Sequence, residues 1–220
     1  MKKFPSLAAA LTVFVSLTSC NEAAKLASET EGSWSGAPEQ FTVSDAAVAT
    51  MTPVYTFVLG DNDKEGGTVT VSSMISATIP YAPQTPEIVQ PISVTASAIG
   101  TIEGTWKAMD DEDIVFNFNF ESLNINVNPD NITLSDNAFT EQAQAHWEKF
   151  KEPYLKSLES RFADAMRLRF MAVRGLEDIK IKKDIMEYEF NNVKMYMHRS
   201  GNMSDVKERT DLKSSAIHIQ

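Results

Sequence analysis

The apolar residues of this chain change their spacing part-way along, and this change constrains the fold more than any other feature. Phe116, Phe118 and Phe120 alternate with asparagine, which is the two-residue period of a β-strand with one buried face. Farther on, apolar residues recur every three or four positions, as on one face of a helix: Ala143, Trp147, Phe150, Tyr154, Leu158, Phe162 and Ala165. The chain is therefore predicted to be β-rich first and helical afterwards.

The β-rich part divides into strands at turn-forming residues. Residues 54–59 and 68–79 are predicted to form a hairpin with a long tip over 60–67, and four prolines make 80–91 a loop. Strands over 92–109 and 114–127 follow, joined by an acidic turn at 110–113. The apolar phase shifts between Phe120 and Leu123, which predicts a bulge or tight bend at Glu121 and Ser122.

A helix is predicted over about 138–174, where Pro153 should kink it or start a second helix and Gly175 should be its C-terminal residue. A hairpin follows, because Asn191 and Asn192 tolerate the positive φ angles of a two-residue turn. Its predicted register pairs Phe190 with Val193, Tyr188 with Met195, Met186 with Met197, and Glu189 with Lys194.

These elements predict a mainly β (α+β) fold. We expect an antiparallel, strongly curved sheet or partial barrel, with one long kinked amphipathic helix before a C-terminal hairpin. Residues 31–199 should form a single domain, and residues 200–220 a polar tail that ends in a possible short strand.

The N-terminus has the composition of a secretory signal, predicted over residues 1–19. Lys2 and Lys3 precede a short apolar run, and Leu17-Thr18-Ser19 leads to Cys20, the only cysteine of the chain. This segment resembles the lipobox of bacterial lipoproteins, in which the cysteine is acylated, as with palmitate, and becomes the new N-terminus. Residues 20–30 are then expected to form the lipidated cysteine and a flexible tether to the domain.

The same resemblance implies a location in the cell envelope. Position 21 is Asn21 rather than the aspartate that favours the inner membrane, so the resemblance implies anchoring in the outer membrane, on its periplasmic face. After removal of residues 1–19, the chain has 18 Lys and Arg against 30 Asp and Glu, a net charge of −12. Such a charge repels phosphate backbones, which argues against nucleic acid as a partner.

Gly32-Ser33-Trp34 resembles the G-x-W that opens the first strand of lipocalins and their calycin relatives. The resemblance implies that Trp34 packs under the closed end of a barrel whose interior can hold an apolar ligand. Glu31-Gly32-Ser33-Trp34 recurs as Glu103-Gly104-Thr105-Trp106, which predicts two strands that begin alike, each with a buried tryptophan.

Aromatic and methionine side chains are the candidates for lining such an interior: Phe116, Phe118, Phe120, Met186, Met195 and Met197. The alternative is that they pack against the apolar face of the helix and complete an ordinary core.

The sequence contains only weak matches to metal-binding or catalytic motifs. Asp61, Asp63 and Glu65 match the first half of a calcium loop, but Ser72 stands where the closing glutamate belongs, and no metal or other cofactor is predicted. His146, His198 and His218 lie far apart in the sequence. The chain is therefore predicted to be a non-enzymatic binding module, anchored to the membrane, for a small apolar ligand or an envelope protein. The alternatives are a structural or accessory subunit of an outer-membrane complex and an uncharacterised hydrolase.

Overall fold

A computed structural model describes residues 22–44, 47–81, 92–135 and 141–200. Within these ranges there are two helices, α1 over residues 22–30 and α2 over Glu141–Ala172, and a 3-10 turn at Pro129–Asn131. Ten strands accompany them: β1 Gly32–Gly36, β2 Glu39–Ser44, β3 Ala47–Gly60, β4 Asp63–Tyr81, β5 Ile92–Ala108, β6 Ile114–Val127, β7 Thr133–Leu134, β8 Gly175–Lys182, β9 Ile185–Phe190 and β10 Val193–Arg199. The signal sequence, Cys20 and most of the tail lie outside the described residues.

Strand β1 closes the sheet on itself. Trp34 lies opposite Arg199 of β10 on one side and opposite Tyr55 of β3 on the other. The strand order β1-β10-β9-β8-β6-β5-β4-β3 therefore returns to β1 as an antiparallel ring of eight strands. The shortest strand pairing of the ring is that of β6 with β8, which pair only at Ile114–Leu176 and Val115–Gly175. The predicted antiparallel, strongly curved sheet is confirmed.

The strands of the ring differ in length. Strands β3 to β6 have 14 to 19 residues, whereas β1 and β8 to β10 have 5 to 8. The long strands continue past the ring as an open sheet, where β2 pairs with the first half of β3. We call this the open end. The closed end is the opposite one, which holds α1 and the turn at residues 61–62.

Helix α2 covers the concave face of the open sheet. From Leu158 onward its buried side chains follow each other at intervals of four residues: Leu158, Phe162, Met166 and Phe170. Met166 lies against Gly100 of β5, where an added Cβ would overlap its sulfur. The glycine therefore lets the helix approach the sheet closely.

The predicted helix is confirmed before the C-terminal hairpin, with two corrections. It continues through Pro153, so no second helix starts there. Phe150 is 39% exposed, so its predicted place on the buried face is wrong. A row of side chains four residues apart turns slowly around the helix, and the row through Leu158 and Phe162 has turned away from Phe150. No helix in the described ranges is long and apolar enough to cross a membrane.

The two best-defined strand predictions are confirmed. Strand β6 has the predicted bounds, and the Ser122 hydroxyl accepts a hydrogen bond from the Glu103 N–H at the predicted bulge. The hairpin β9–β10 has the predicted register, with φ of 53° at Asn191 and 60° at Asn192. However, the Lys194 ammonium pairs with Glu187 at 2.7 Å, diagonally across the strands, rather than with the predicted Glu189.

Three turn predictions are wrong. The tip between β3 and β4 is only residues 61–62, since β4 begins at Asp63, which pairs with Gly60. Gly175 is not a helix C-terminal residue but opens β8, where the carbonyl of Ile114 leaves no room for a Cβ. The second tryptophan motif does not begin a strand either, because Gly104 lies well inside β5, which begins at Ile92. Both Trp34 and Trp106 are buried as predicted.

The predicted flexible tether over residues 20–30 is wrong for residues 22–30, which form helix α1. Ala23, Leu26, Ala27 and Thr30 lie on one side of this helix, and all four are at most 4% exposed. Their spacing of i, i+3, i+4 and i+7 is that of a buried helix face. The face is easy to overlook because three of its four residues are small. The folded domain thus includes residues 22–30.

Candidate functional site

Every strand of the ring contributes buried side chains to one core cluster. Met186 and Met197 are 0% exposed and belong to the main core cluster, and Met195 is half-buried against it. Phe57 contacts Trp106 edge to face, with ring centres 5.2 Å apart. Of the three methionines predicted to line a ligand cavity, Met186 and Met197 are therefore core residues, and Met195 packs against the core.

The three phenylalanines of β6 have a different setting. Phe118 is 9% exposed and meets Phe170 of α2 edge to face at 5.0 Å, while Phe116 and Phe120 are only half-buried. All three line a surface groove of about 270 Å³ between β6 and the last turn of α2. The groove is completed by Phe170, Met171, Val173, Arg174 and Asn117. We call it the aromatic groove.

Exposed apolar side chains lie beside the groove on α2. Met171 is 59% exposed and Leu168 is 70% exposed. They are three residues apart and therefore neighbours on the helix surface, on a side that the buried row does not use. Burying these two side chains against a partner would remove apolar surface from water, so they continue the groove as an apolar contact area.

The groove also contains part of a strand edge that no described strand covers. The Phe116 N–H donates to the carbonyl of Arg174 at 2.8 Å, so it points away from β5 toward α2 and β8. Backbone groups of a strand alternate in direction, so those of Phe118 point to the same side. No described strand pairs with this side of β6 beyond the contact with Arg174. Such an edge can pair with an added extended segment.

A half-buried ion pair fastens β2 to α2 near this region. The Arg169 Nε donates to Glu39 Oε2 at 2.7 Å, and the guanidinium lies 4.6 Å from the Phe190 ring centre. Burial disfavours the charge of Arg169, but the hydrogen bond and charge of Glu39 outweigh burial and raise its pKa. Burial raises the pKa of Tyr188 to about 12, and that of Tyr55 still further. Arg169 therefore stays charged and the two tyrosines stay neutral at neutral pH, which suits a structural role.

Aromatic residues also cluster at the open end. The Tyr81 hydroxyl and His146 Nδ1 share a hydrogen bond of 3.0 Å, and Tyr81 meets Trp147 and Tyr154 edge to face. Burial raises the pKa of Tyr154 to about 12, and its hydroxyl has no hydrogen-bond partner among the described residues. This cluster anchors the first half of α2 to β4. His198 is exposed on β10, away from it, and His218 lies outside the described residues.

The acidic candidates do not converge on a cation site. Asp63 Oδ1 accepts the N–H of Glu65, and Glu65 pairs with Lys107 at 3.4 Å, so these carboxylates serve the hairpin itself. No group of three or more His, Cys, Asp and Glu residues within the described ranges could hold a metal ion. Asp178, Asp111, Asp113 and Asp110 together raise the pKa of the exposed Glu112, with Asp178 the largest cause.

The closed end is held by Trp34 and Arg199. The Trp34 Nε1 donates to the Thr30 carbonyl at 2.7 Å, and the two terminal nitrogens of Arg199 donate to Glu31 and Glu29 at 2.7 and 2.8 Å. These bonds satisfy carbonyls at the C-terminus of α1, which a helix leaves without partners. Helix α1 is thereby fixed across the end of the ring.

No protein-family model, curated protein or solved structure matches this chain. The site is defined by its geometry alone, and the sequence predicted three of its eight lining residues. The phenylalanines of β6 were predicted as lining residues, but Phe170, Met171 and Arg174 were missed. The available signal was Leu168 and Met171, which lie three residues apart and off the apolar face of α2.

Proposed function

We propose that this chain is a lipid-anchored protein of the cell envelope that acts as a non-enzymatic binding module. Its docking site is the aromatic groove, and its ligand is an apolar, extended segment of a protein partner. The observation that carries the proposal is the continuous apolar area formed by the groove with the exposed Met171 and Leu168. Aromatic residues, methionine and arginine are enriched where proteins bind each other.

Two further features support a protein segment as the ligand. Phe118 presents backbone groups to the groove at a strand edge, and an extended peptide binds such an edge through main-chain hydrogen bonds. Arg174 lines the groove and is exposed, so it can pair with a carboxylate of the partner. We therefore expect a segment with apolar side chains and at least one acidic residue.

The anchor is proposed from the sequence around Cys20. Acylation would hold the protein on the membrane, in the outer membrane if Asn21 acts as the lipobox resemblance implies. The experiment is a Cys20→Ala variant expressed in full length, with fractionation and metabolic labelling by palmitate. We expect the parent to be labelled and membrane-bound, and the variant to be unlabelled and absent from the membrane as mature protein.

A lipocalin-like architecture is proposed for the domain. It is supported by the ring of eight antiparallel strands and by Trp34, which is 0% exposed beneath α1 at the closed end. Along the chain, the long helix α2 comes after β6 and before β8, in the middle of the strands of the ring. This chain would therefore be a variant of that architecture, in which the helix precedes the last three strands.

Site-specific photocrosslinking tests the docking site. A photoreactive residue at Met171 should yield a discrete crosslinked partner in intact cells. The matched control is Ile99, which is 44% exposed on the outer face of β5. Replacing Phe120 by Asp should remove the crosslink from position 171. A crosslink of equal yield from both positions, or one unaffected by this replacement, would contradict the proposal.

A small apolar molecule is the second candidate, favoured by the aromatic lining of the groove. Native mass spectrometry of protein purified without a tag or detergent distinguishes the two, since a retained ligand adds a fixed mass. An accessory subunit of an outer-membrane complex would instead co-purify with several partners after mild solubilisation. No observation in the described part of the chain favours the hydrolase alternative.

A further inference from the structure

Helix α1 fixes the distance between the folded domain and the proposed lipid anchor. The first described residue, Glu22, is already helical, and Ala23 is 3% exposed in the core cluster. Two residues span at most about 7 Å when fully extended. An acylated Cys20 would therefore hold the start of α1 directly at the bilayer surface, with no long linker to separate them.

Helix α1 cannot act as a loose spacer, because it is bound to the ring at several points. The buried side chains of Leu26, Ala27 and Thr30 lock its inner face, and Arg199 and Trp34 bind the carbonyls at its C-terminus. Detaching the helix would expose this face and break these hydrogen bonds. The orientation of α1 therefore determines the orientation of the whole ring.

The turns of the closed end lie on the same side as α1. Gly32 follows α1 and lies opposite Phe57, close to the 61–62 turn that ends β3. Arg199 N–H donates to the carbonyl of Asp184 at 2.8 Å, which places the turn between β8 and β9 there. Ile179 N–H donates to the carbonyl of Glu112 at 2.8 Å, which adds the turn between β5 and β6.

This end of the molecule carries an excess of negative charge. Its turns and the strand residues beside them contain eight acidic residues, namely Asp61, Asp63, Asp110, Asp111, Glu112, Asp113, Asp178 and Asp184, against three lysines, Lys64, Lys182 and Lys183. Helix α1 adds Lys25 in an ion pair with Glu29. These carboxylates are close together, because Asp178 and the aspartates beside Glu112 in the sequence raise the pKa of Glu112.

We propose that the closed end is the membrane-facing surface of the protein, seated on zwitterionic phospholipid headgroups, with the open end directed away. This orientation rests on the proposed anchor at Cys20. The short connection forces the closed end to the surface, while its acidic turns are repelled by anionic headgroups and tolerate zwitterionic ones.

The test uses full-length, acylated protein in phosphatidylcholine vesicles that contain a lipid with a nitroxide on its headgroup. Acylation consumes the thiol of Cys20, so a cysteine introduced by Asn62→Cys is the single site for a fluorophore. The matched control is Asn126→Cys, which is exposed on β6 at the open end and lies 12 residues, or about 40 Å of strand, from Ile114. We expect several-fold stronger quenching at position 62 than at position 126. Equal quenching, or stronger quenching at 126, would overturn the orientation.

Two further measurements test the two causes of this orientation. A flexible insert of 12 Gly and Ser residues after Asn21 reaches about 19 Å on average and should remove the difference between the positions. Replacing much of the phosphatidylcholine by phosphatidylglycerol should weaken quenching at position 62, and 1 M salt should restore it because the screening length falls to about 3 Å. A quenching difference that survives the insert would contradict the role of the short connection, and insensitivity to phosphatidylglycerol would contradict the headgroup preference.

Mass spectrometry of the N-terminal peptide shows whether Cys20 is acylated. It therefore distinguishes a wrong orientation from a wrong anchor. An acylated Cys20 with equal quenching at both positions would overturn the orientation alone. A Cys20 without acyl chains would overturn the anchor and the orientation together, while the proposed docking at the aromatic groove would be unaffected.

Discussion

The guanidinium carbon of Arg199 lies 4.2 Å from the centre of the Trp34 ring, and the same side chain donates hydrogen bonds to two carbonyls at the end of α1. One residue of the last described strand thus connects the first strand with the first helix. Strands β1 and β10 are neighbours in the ring, so this contact joins the two ends of the described chain. It makes the closure of the ring and the position of α1 mutually dependent.

Replacing Arg199 should therefore weaken the closed end. Arg199→Ala removes two hydrogen bonds from a charged donor and one cation–π contact, and we expect a loss of about 1 to 2 kcal/mol in unfolding free energy because the site is exposed. Arg199→Lys keeps the charge but not the forked geometry, so its loss should be intermediate. Urea unfolding measures both, with the exposed neighbour His198→Ala as the control. Equal stability of all three variants would contradict this role.

The placement of α1 in the core has a matched test in two adjacent small residues. Ala27 is 0% exposed, whereas Ser28 is exposed. Ala27→Glu would place an unpaired charge in the core, and we expect it to cost about 3 kcal/mol or more. Ser28→Glu adds the same charge on the solvent side near the end of the helix and should cost less than about 1 kcal/mol. Thermal unfolding of the two proteins measures the difference. If both variants matched the parent, residues 22–30 would be a tether after all.

The contact between Gly100 and Met166 should appear as energetic coupling. Gly100→Ala adds a Cβ that overlaps the methionine sulfur, and we expect a cost of about 1 to 3 kcal/mol. In a Met166→Ala background the same substitution should be less costly by about 1 kcal/mol or more. A double-mutant cycle of unfolding free energies measures the coupling. Strict additivity would place α2 elsewhere on the sheet.

The acidic turns of the closed end predict a pH-dependent effect. Repulsion, chiefly from Asp178, raises the folded-state pKa of Glu112, so the ionised form of this group opposes folding. Its contribution favours folding below the ordinary glutamate pKa and is lost as the pH rises through the raised value. Glu112→Gln should therefore raise the melting temperature at neutral pH and give no gain in acid. Glu121→Gln, on β6, is the control, and a gain that is independent of pH would contradict this explanation.

Local patterns predicted a large part of this fold. Strand β6 and the β9–β10 hairpin were placed correctly because alternation and two asparagines act within a few residues. The bulge at Ser122 was visible as a change of phase. Closure of the ring could not be predicted, since it depends on β1 pairing with both β3 and β10, which lie far apart in sequence.

The site was harder to predict for the same reason. Phe118 and Phe170 meet across a separation of 52 residues, and Arg169 reaches Glu39 across 130, so no spacing rule connects them. The methionines of β9 and β10 share a composition with ligand-binding surfaces, yet Met186 and Met197 are buried in the core. Residue type showed which side chains are apolar. Only their packing in the structure shows which of them belong to the core and which line the groove.

The most direct test of the proposed function is co-isolation of the partner from mildly solubilised membranes. Met171→Glu should abolish recovery of the partner that crosslinks to position 171, because it places a charge in the apolar contact area. Ile99→Glu introduces the same charge on the outer face of β5 and should leave recovery unchanged. Both variants should unfold at the temperature of the parent, since both side chains are exposed. Full recovery with Met171→Glu, or equal loss with both variants, would contradict docking at the aromatic groove.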